Sequence, residues 1–68
     1  MRPLPELLQE CRSRGVKLTP QRLCIFECLR DHPGHPTAED VYQEVHRRHP
    51  ATSFATVYNT LQLLTDLG

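Results

Sequence analysis

The stretch SFATVYNTLQLL, residues 53–64, has the periodicity of an amphipathic helix but an unusual outer side. Phe54, Val57, Leu61 and Leu64 recur at 3.6-residue spacing and make an apolar stripe. Away from the stripe, Ala55, Asn59 and Gln62 share one direction, with Thr56 and Tyr58 on its flanks. None of the twelve residues is charged. Solvated helix faces usually carry Lys and Glu, often as i,i+4 pairs. A face of small and polar uncharged groups suits close approach to another surface. Base edges in the major groove of DNA fit, because Asn, Gln, Ser and Thr hydrogen-bond to bases and small residues let the backbone come near. A second protein surface fits as well, so a helical interaction module without DNA binding stands as the alternative on this pattern.

Working outward, the chain reads as four helices and no strand. Leu4, Leu7, Leu8 and Cys11 follow i, i+3, i+4, i+7 and predict a first helix ending near Gly15. Thr19-Pro20 reads as an N-cap followed by Pro at the first helical position. The helix it opens runs to about Arg30 and is expected to bury Leu23, Ile25, Phe26 and Leu29. HPGHP, residues 32–36, cannot be helical and makes a tight connector. Thr37 caps a third helix with Asp40 at N3, and Ala38, Val41, Tyr42 and Val45 form its apolar face. His49-Pro50 stops it, and Ser53 caps the fourth helix. Helices three and four, joined through RRHPAT (residues 47–52), suit a helix-turn-helix with the fourth as reader. Arg47 and Arg48 would supply phosphate contacts beside it. Gly68 would serve as the C-cap of the fourth helix, which suggests a piece of a longer protein.

Sixty-eight residues with 38% hydrophobic and 24% charged side chains make one small domain with a lean core. No apolar run approaches the roughly 20 residues needed to span a bilayer, and no apolar stretch follows Met1 as a secretory signal would require. A cytoplasmic location, with no membrane partner, is the expectation. Three cysteines without a CxxC pair argue against a disulfide framework. Cys24 and Cys28 lie i,i+4 on one helix face; Cys28 is expected to border the core and Cys24 to be a surface thiol. The net charge is zero, but the charges are in blocks. Arg12, Arg14, Lys17 and Arg22 fall in residues 11–26 with no acid, and Arg47 and Arg48 in residues 45–65, again with none. Asp31, Glu39, Asp40 and Glu44 lie between them without a base. If the basic blocks meet in space, the domain has a positive face for an anionic partner.

Three motifs, GVKLTPQR (15–22), HPTAEDVY (35–42) and SFATVYNTL (53–61), stand in an order and spacing that closely resembles the ferric uptake regulator family. The similarity runs from about Leu4 to the end of the chain. It implies that residues 1–68 are the winged-helix DNA-binding domain of a longer two-domain regulator, an all-α piece whose wing and α/β dimerisation domain would follow. The implied activity is that of a metal-dependent bacterial repressor of metal-uptake or peroxide-stress genes. The implied partners are an AT-rich palindromic operator in double-stranded DNA and a second copy bound through the following domain.

Role by role, the resemblance makes Tyr58 a base-contacting tyrosine of the reading helix. Asn59 stands where iron regulators often have Arg and matches the peroxide-responsive branch better; Gln62 continues the same face. Lys17 matches a basic residue that reaches the minor groove, and Arg22 one near phosphate. Ser53 and Thr56 would hold phosphates at the helix N-terminus, where the dipole favours anions. His35 matches the one metal ligand that this domain contributes to a regulatory Fe, Mn or Zn site, whose other ligands would lie in the following domain. A lone imidazole holds metal weakly, so none is expected on this piece by itself. An enzyme is not expected: the chain has no glycine-rich phosphate loop and no nucleophile motif.

Overall fold

Thr19, Thr37 and Ser53 each start a helix by the same local device, a hydroxyl that accepts the backbone N–H of N3. The N–H groups of Arg22, Asp40 and Thr56 donate to these oxygens at 3.2, 3.1 and 3.1 Å. At Thr37 the return bond is also made, its N–H donating to the Asp40 carboxylate at 3.0 Å and completing a capping box. In the computed structural model, which describes residues 2–67, the elements are α1 (Leu4–Ser13), α2 (Pro20–Asp31), α3 (Ala38–Arg48) and α4 (Phe54–Leu67). Among the described residues there is no strand and no helix long and apolar enough to cross a membrane. Gly68, read above as a C-cap, lies outside the described residues.

The end of α1 directs the chain toward α2. Gly15 takes φ +71°, the left-handed conformation open to glycine at little cost. Its N–H bonds to Arg12 O at 3.2 Å and that of Val16 to Cys11 O at 2.8 Å. This is the Schellman pattern, and it turns Val16 and Leu18 back onto the core while Lys17 stays exposed between them.

Two apolar clusters hold the helices. Cys24, Ile25, Val41, Val45 and Val57 join α2, α3 and α4, with Leu29, Tyr42 and Leu61 half-buried around them. Leu7, Cys11, Phe26 and Leu67 join α1 to the far sides of α2 and α4. Helices α2 to α4 therefore form the helix-turn-helix core and α1 packs across it, as the stripes predict. Thr60, buried within α4, satisfies its hydroxyl on Thr56 O at 2.8 Å.

Three expectations change. Cys24 is 3% exposed and belongs to the core, whereas its neighbour one turn on, Cys28, is half-buried. The α2 stripe is centred closer to Cys24 than the Leu positions suggest, and Leu23 and Leu29, both expected to be buried, are half-buried. Phe54, assigned by period to the buried stripe of α4, is 46% exposed.

Candidate nucleic-acid interface

The charge-free side of α4 faces solvent. Ala55, Asn59 and Gln62 are exposed, Tyr58 is half exposed, and Thr56 is half-buried at the helix start. Val57 and Thr60 point inward and fix the rotation of the helix. Gln62 Nε2 donates to the Tyr58 hydroxyl at 3.3 Å, so the phenol is oriented by the residue one turn on. Ser53 Oγ lies 3.0 Å from Thr56 Oγ1 as well as capping its N–H.

Beside the first turn of α4 opens a cleft lined by Lys17, Thr19, Gln21, Arg22, Ala51, Thr52 and Thr56. It joins the loop after α1, the start of α2 and the connector before α4. Arg22 Nη1 donates to Lys17 O at 2.8 Å, which ties that loop to α2. Among the described residues neither Lys17 nor Arg22 makes an ion pair with a carboxylate. Thr52 is 5% exposed and its hydroxyl has no partner within the protein. A buried hydroxyl left without a bond is costly. Thr52 carries no periodic or motif signal, so sequence reasoning missed it.

Arg47 and Arg48 have other surroundings. They line a second depression, between α2 and α3, with Cys28, Asp31, Glu39, Asp40 and Glu44. Arg47 pairs with Glu44 one turn before it, and Arg48 Nη1 lies 4.0 Å from Cys24 Sγ. The two basic blocks of the sequence thus meet only in part, since Lys17 and Arg22 flank α4 while Arg47 and Arg48 share the acidic side. Here Asp31 is held below the usual carboxylate range by its bond from Arg30, and Asp40 by the N–H and hydroxyl of Thr37. Burial, reinforced by the neighbouring Cys24, pushes the Cys28 thiol up to about 11. It is a protonated and poorly nucleophilic group at neutral pH.

His35 is exposed in the 32–36 connector, where Gly34 adopts φ +88° between Pro33 and His35. It borders a groove whose other walls include Leu4, Leu29, Leu61 and Leu64 with Arg2 and Arg30. No three His, Cys, Asp or Glu side chains converge among the described residues. These residues do not by themselves make a metal site. His35 offers one imidazole in apolar and cationic surroundings, and a site would need donors from elsewhere.

The sequence profile of the ferric uptake regulator family matches residues 13–68, a stretch that contains the cleft, the His35 connector and the whole of α4. The chain belongs to the ferric uptake regulator family. Among curated members, it is 42% identical over 65 residues to the peroxide operon regulator of Bacillus subtilis (strain 168), covering 96% of this chain and 45% of that protein. The peroxide-responsive repressors PerR of Staphylococcus epidermidis (strain ATCC 12228 / FDA PCI 1200) and Staphylococcus aureus (strain USA300) are each 40% identical over 65 residues. These matches again cover 96% of this chain, and 43% and 44% of the relatives. The chain therefore spans somewhat under half the length of the ferric uptake regulator relatives it matches. No solved structure matches it.

Proposed function

We propose that residues 1–68 are the DNA-binding domain of a metal-dependent transcriptional repressor that controls peroxide-stress genes. The observation that carries this is the continuity of two surfaces: the uncharged, exposed side of α4, and beside its first turn a cleft with two cations not paired to carboxylates. A reading helix needs the first to approach base edges and the second to grip the phosphates that set its register. Tyr58, Asn59 and Gln62 read bases in the major groove. Lys17, Arg22, Ser53 and Thr56 bind the backbone, with Lys17, Arg22 and Thr56 lining the cleft beside the helix start. Arg47 and Arg48 add weaker phosphate attraction from the flank, offset by Glu44.

The relatives named as peroxide regulators and repressors support the signal, and support a regulator rather than an enzyme. In the longer protein a second copy doubles the half-sites, so the operator is an AT-rich palindrome bound by a homodimer in the cytoplasm. His35 contributes one ligand to an Fe, Mn or Zn site completed outside this domain.

Fluorescence anisotropy of the 68-residue chain against an AT-rich duplex at low salt is the test. Binding should be weak, salt-dependent, and less discriminating between operator and random DNA after Tyr58→Ala or Asn59→Ala. Capture of a protein partner with no binding to any duplex would overturn the reading. For His35, the longer protein should lose metal-stimulated operator binding on His35→Ala while the melting of this domain is unchanged.

A further inference from the structure

Phe54 is the residue whose position the hydrophobic period does not explain. It stands in the first turn of α4 and is 46% exposed, although the stripe of Val57 and Leu61 beside it is covered by α2 and α3. Its ring is nonetheless held in place. It meets Tyr42 edge-on, with centroids 5.6 Å apart and planes at 65°. Tyr42 is half-buried on the helix-turn-helix core and lies against the His46 ring at 5.4 Å. A phenyl ring propped this way loses little further freedom when it meets a ligand.

Phe54, Tyr58 and Gln62 follow one another at i, i+4 and i+8, in a row that borders the Ala55–Asn59 face. The first residues of a reading helix are those that reach base edges. At that place the chain offers a hydrocarbon ring in place of a hydrogen-bonding group. Phosphate gains nothing from it, and neither do the donors and acceptors of the base pairs. The one apolar handle that an unmodified base edge presents in the major groove is the C5 methyl of thymine.

We infer that Phe54, propped on Tyr42, selects thymine at one position of each half-site by packing against its C5 methyl. This rests on the DNA-reading function proposed above and adds a specificity-determining residue to it. The selection is for a methyl group and involves no bond made or broken.

The experiment compares two duplexes of one AT-rich sequence, one containing dT and the other dU throughout, by fluorescence anisotropy with the 68-residue chain at low salt. Burying one methyl corresponds to about a fourfold preference for the dT duplex in the unsubstituted chain. Phe54→Ala should bring the two affinities together, whereas Phe54→Leu, still apolar, should keep most of the ratio. Circular dichroism melts check that both variants are folded. Equal affinity of the unsubstituted chain for both duplexes overturns the inference without any variant, while leaving DNA binding intact. A ratio that survives Phe54→Ala also overturns it, assigning the methyl contact to Tyr58 or Ala55. Binding to neither duplex overturns the parent function and this inference with it.

Discussion

Lys17 and Arg22 in one cleft, and Arg47 and Arg48 in another depression, are four cations in two kinds of surroundings. The first pair shares its cleft with Thr19, Gln21, Thr52 and Thr56, and no carboxylate lines it. The second pair shares its depression with Asp31, Glu39, Asp40 and Glu44, and Arg47 is already paired. A surface ion pair contributes little to stability, but it reduces the field that a phosphate would meet. The difference teaches that a run of basic residues measures attraction to an anion only after its acidic neighbours in space are known. In this chain those neighbours come from α2 and the start of α3 as well as from Glu44.

The largest way to break the contrast is to remove the frame that holds the two sides apart. Phe26 is wholly buried on the α1 side of α2, while Ile25 next to it anchors the helix-turn-helix side. Phe26→Ala should cost about 3–5 kcal/mol. A domain of this size has roughly 3–10 kcal/mol in all, so a large unfolded fraction is expected in urea titrations followed by circular dichroism. A loss under about 1 kcal/mol would mean that the α1 cluster does not support the rest.

A smaller and more selective effect sharpens the contrast. Lys17→Ala should weaken binding to any duplex and lower the slope of log affinity against log salt by about one. Arg47→Ala should change that slope by less, because Glu44 already occupies the guanidinium. Glu44→Gln should release it and strengthen non-specific binding at low salt. Equal slopes for the Lys17 and Arg47 variants would erase the distinction between the two sides.

The smallest effect tests the acidic side. Asp40 is stabilised as the anion by the Thr37 N–H and then by its hydroxyl, so its folded pKa lies below the ordinary 3.8. Such a group contributes stability above the unfolded value, and the contribution is lost as pH falls through the folded one. Asp40→Asn should therefore melt a few degrees lower at most near neutral pH. The gap from the unsubstituted chain should close in acid, below the carboxylate range. A gap that stayed constant with pH would mean that the cap acts without its charge.

Most of the helical layout was legible because its signals are local. Thr19-Pro20, Thr37 with Asp40, and Ser53 each act within four residues, and the structure starts a helix after each of them. Gly15 was legible for the same reason, as the left-handed residue after α1. The site was legible in part. The exposed side of α4 matches the reading of residues 53–64 except at Phe54, and the motif carrying Lys17 and Arg22 lies where α4 begins. Thr52 was invisible: a single threonine in a connector carries no pattern, and its orphaned hydroxyl exists only when the chain has folded around it.

By itself, then, the sequence determined the approximate limits of the helices among the described residues, the uncharged character of the exposed side of α4 and membership of the ferric uptake regulator family. These depend on neighbours along the chain or on the order of short motifs. The tertiary structure alone decided that Cys24 is core and Phe54 is not, and that two cations stay clear of carboxylates while Arg47 does not. The physical reason is that burial and charge pairing are set by whichever element packs opposite. Helices α2 and α3 cover Val57, and Tyr42 meets Phe54 edge-on without enclosing it. Periodicity reports which side of a helix is apolar, but how far its partners extend along that side is a property of the assembled fold.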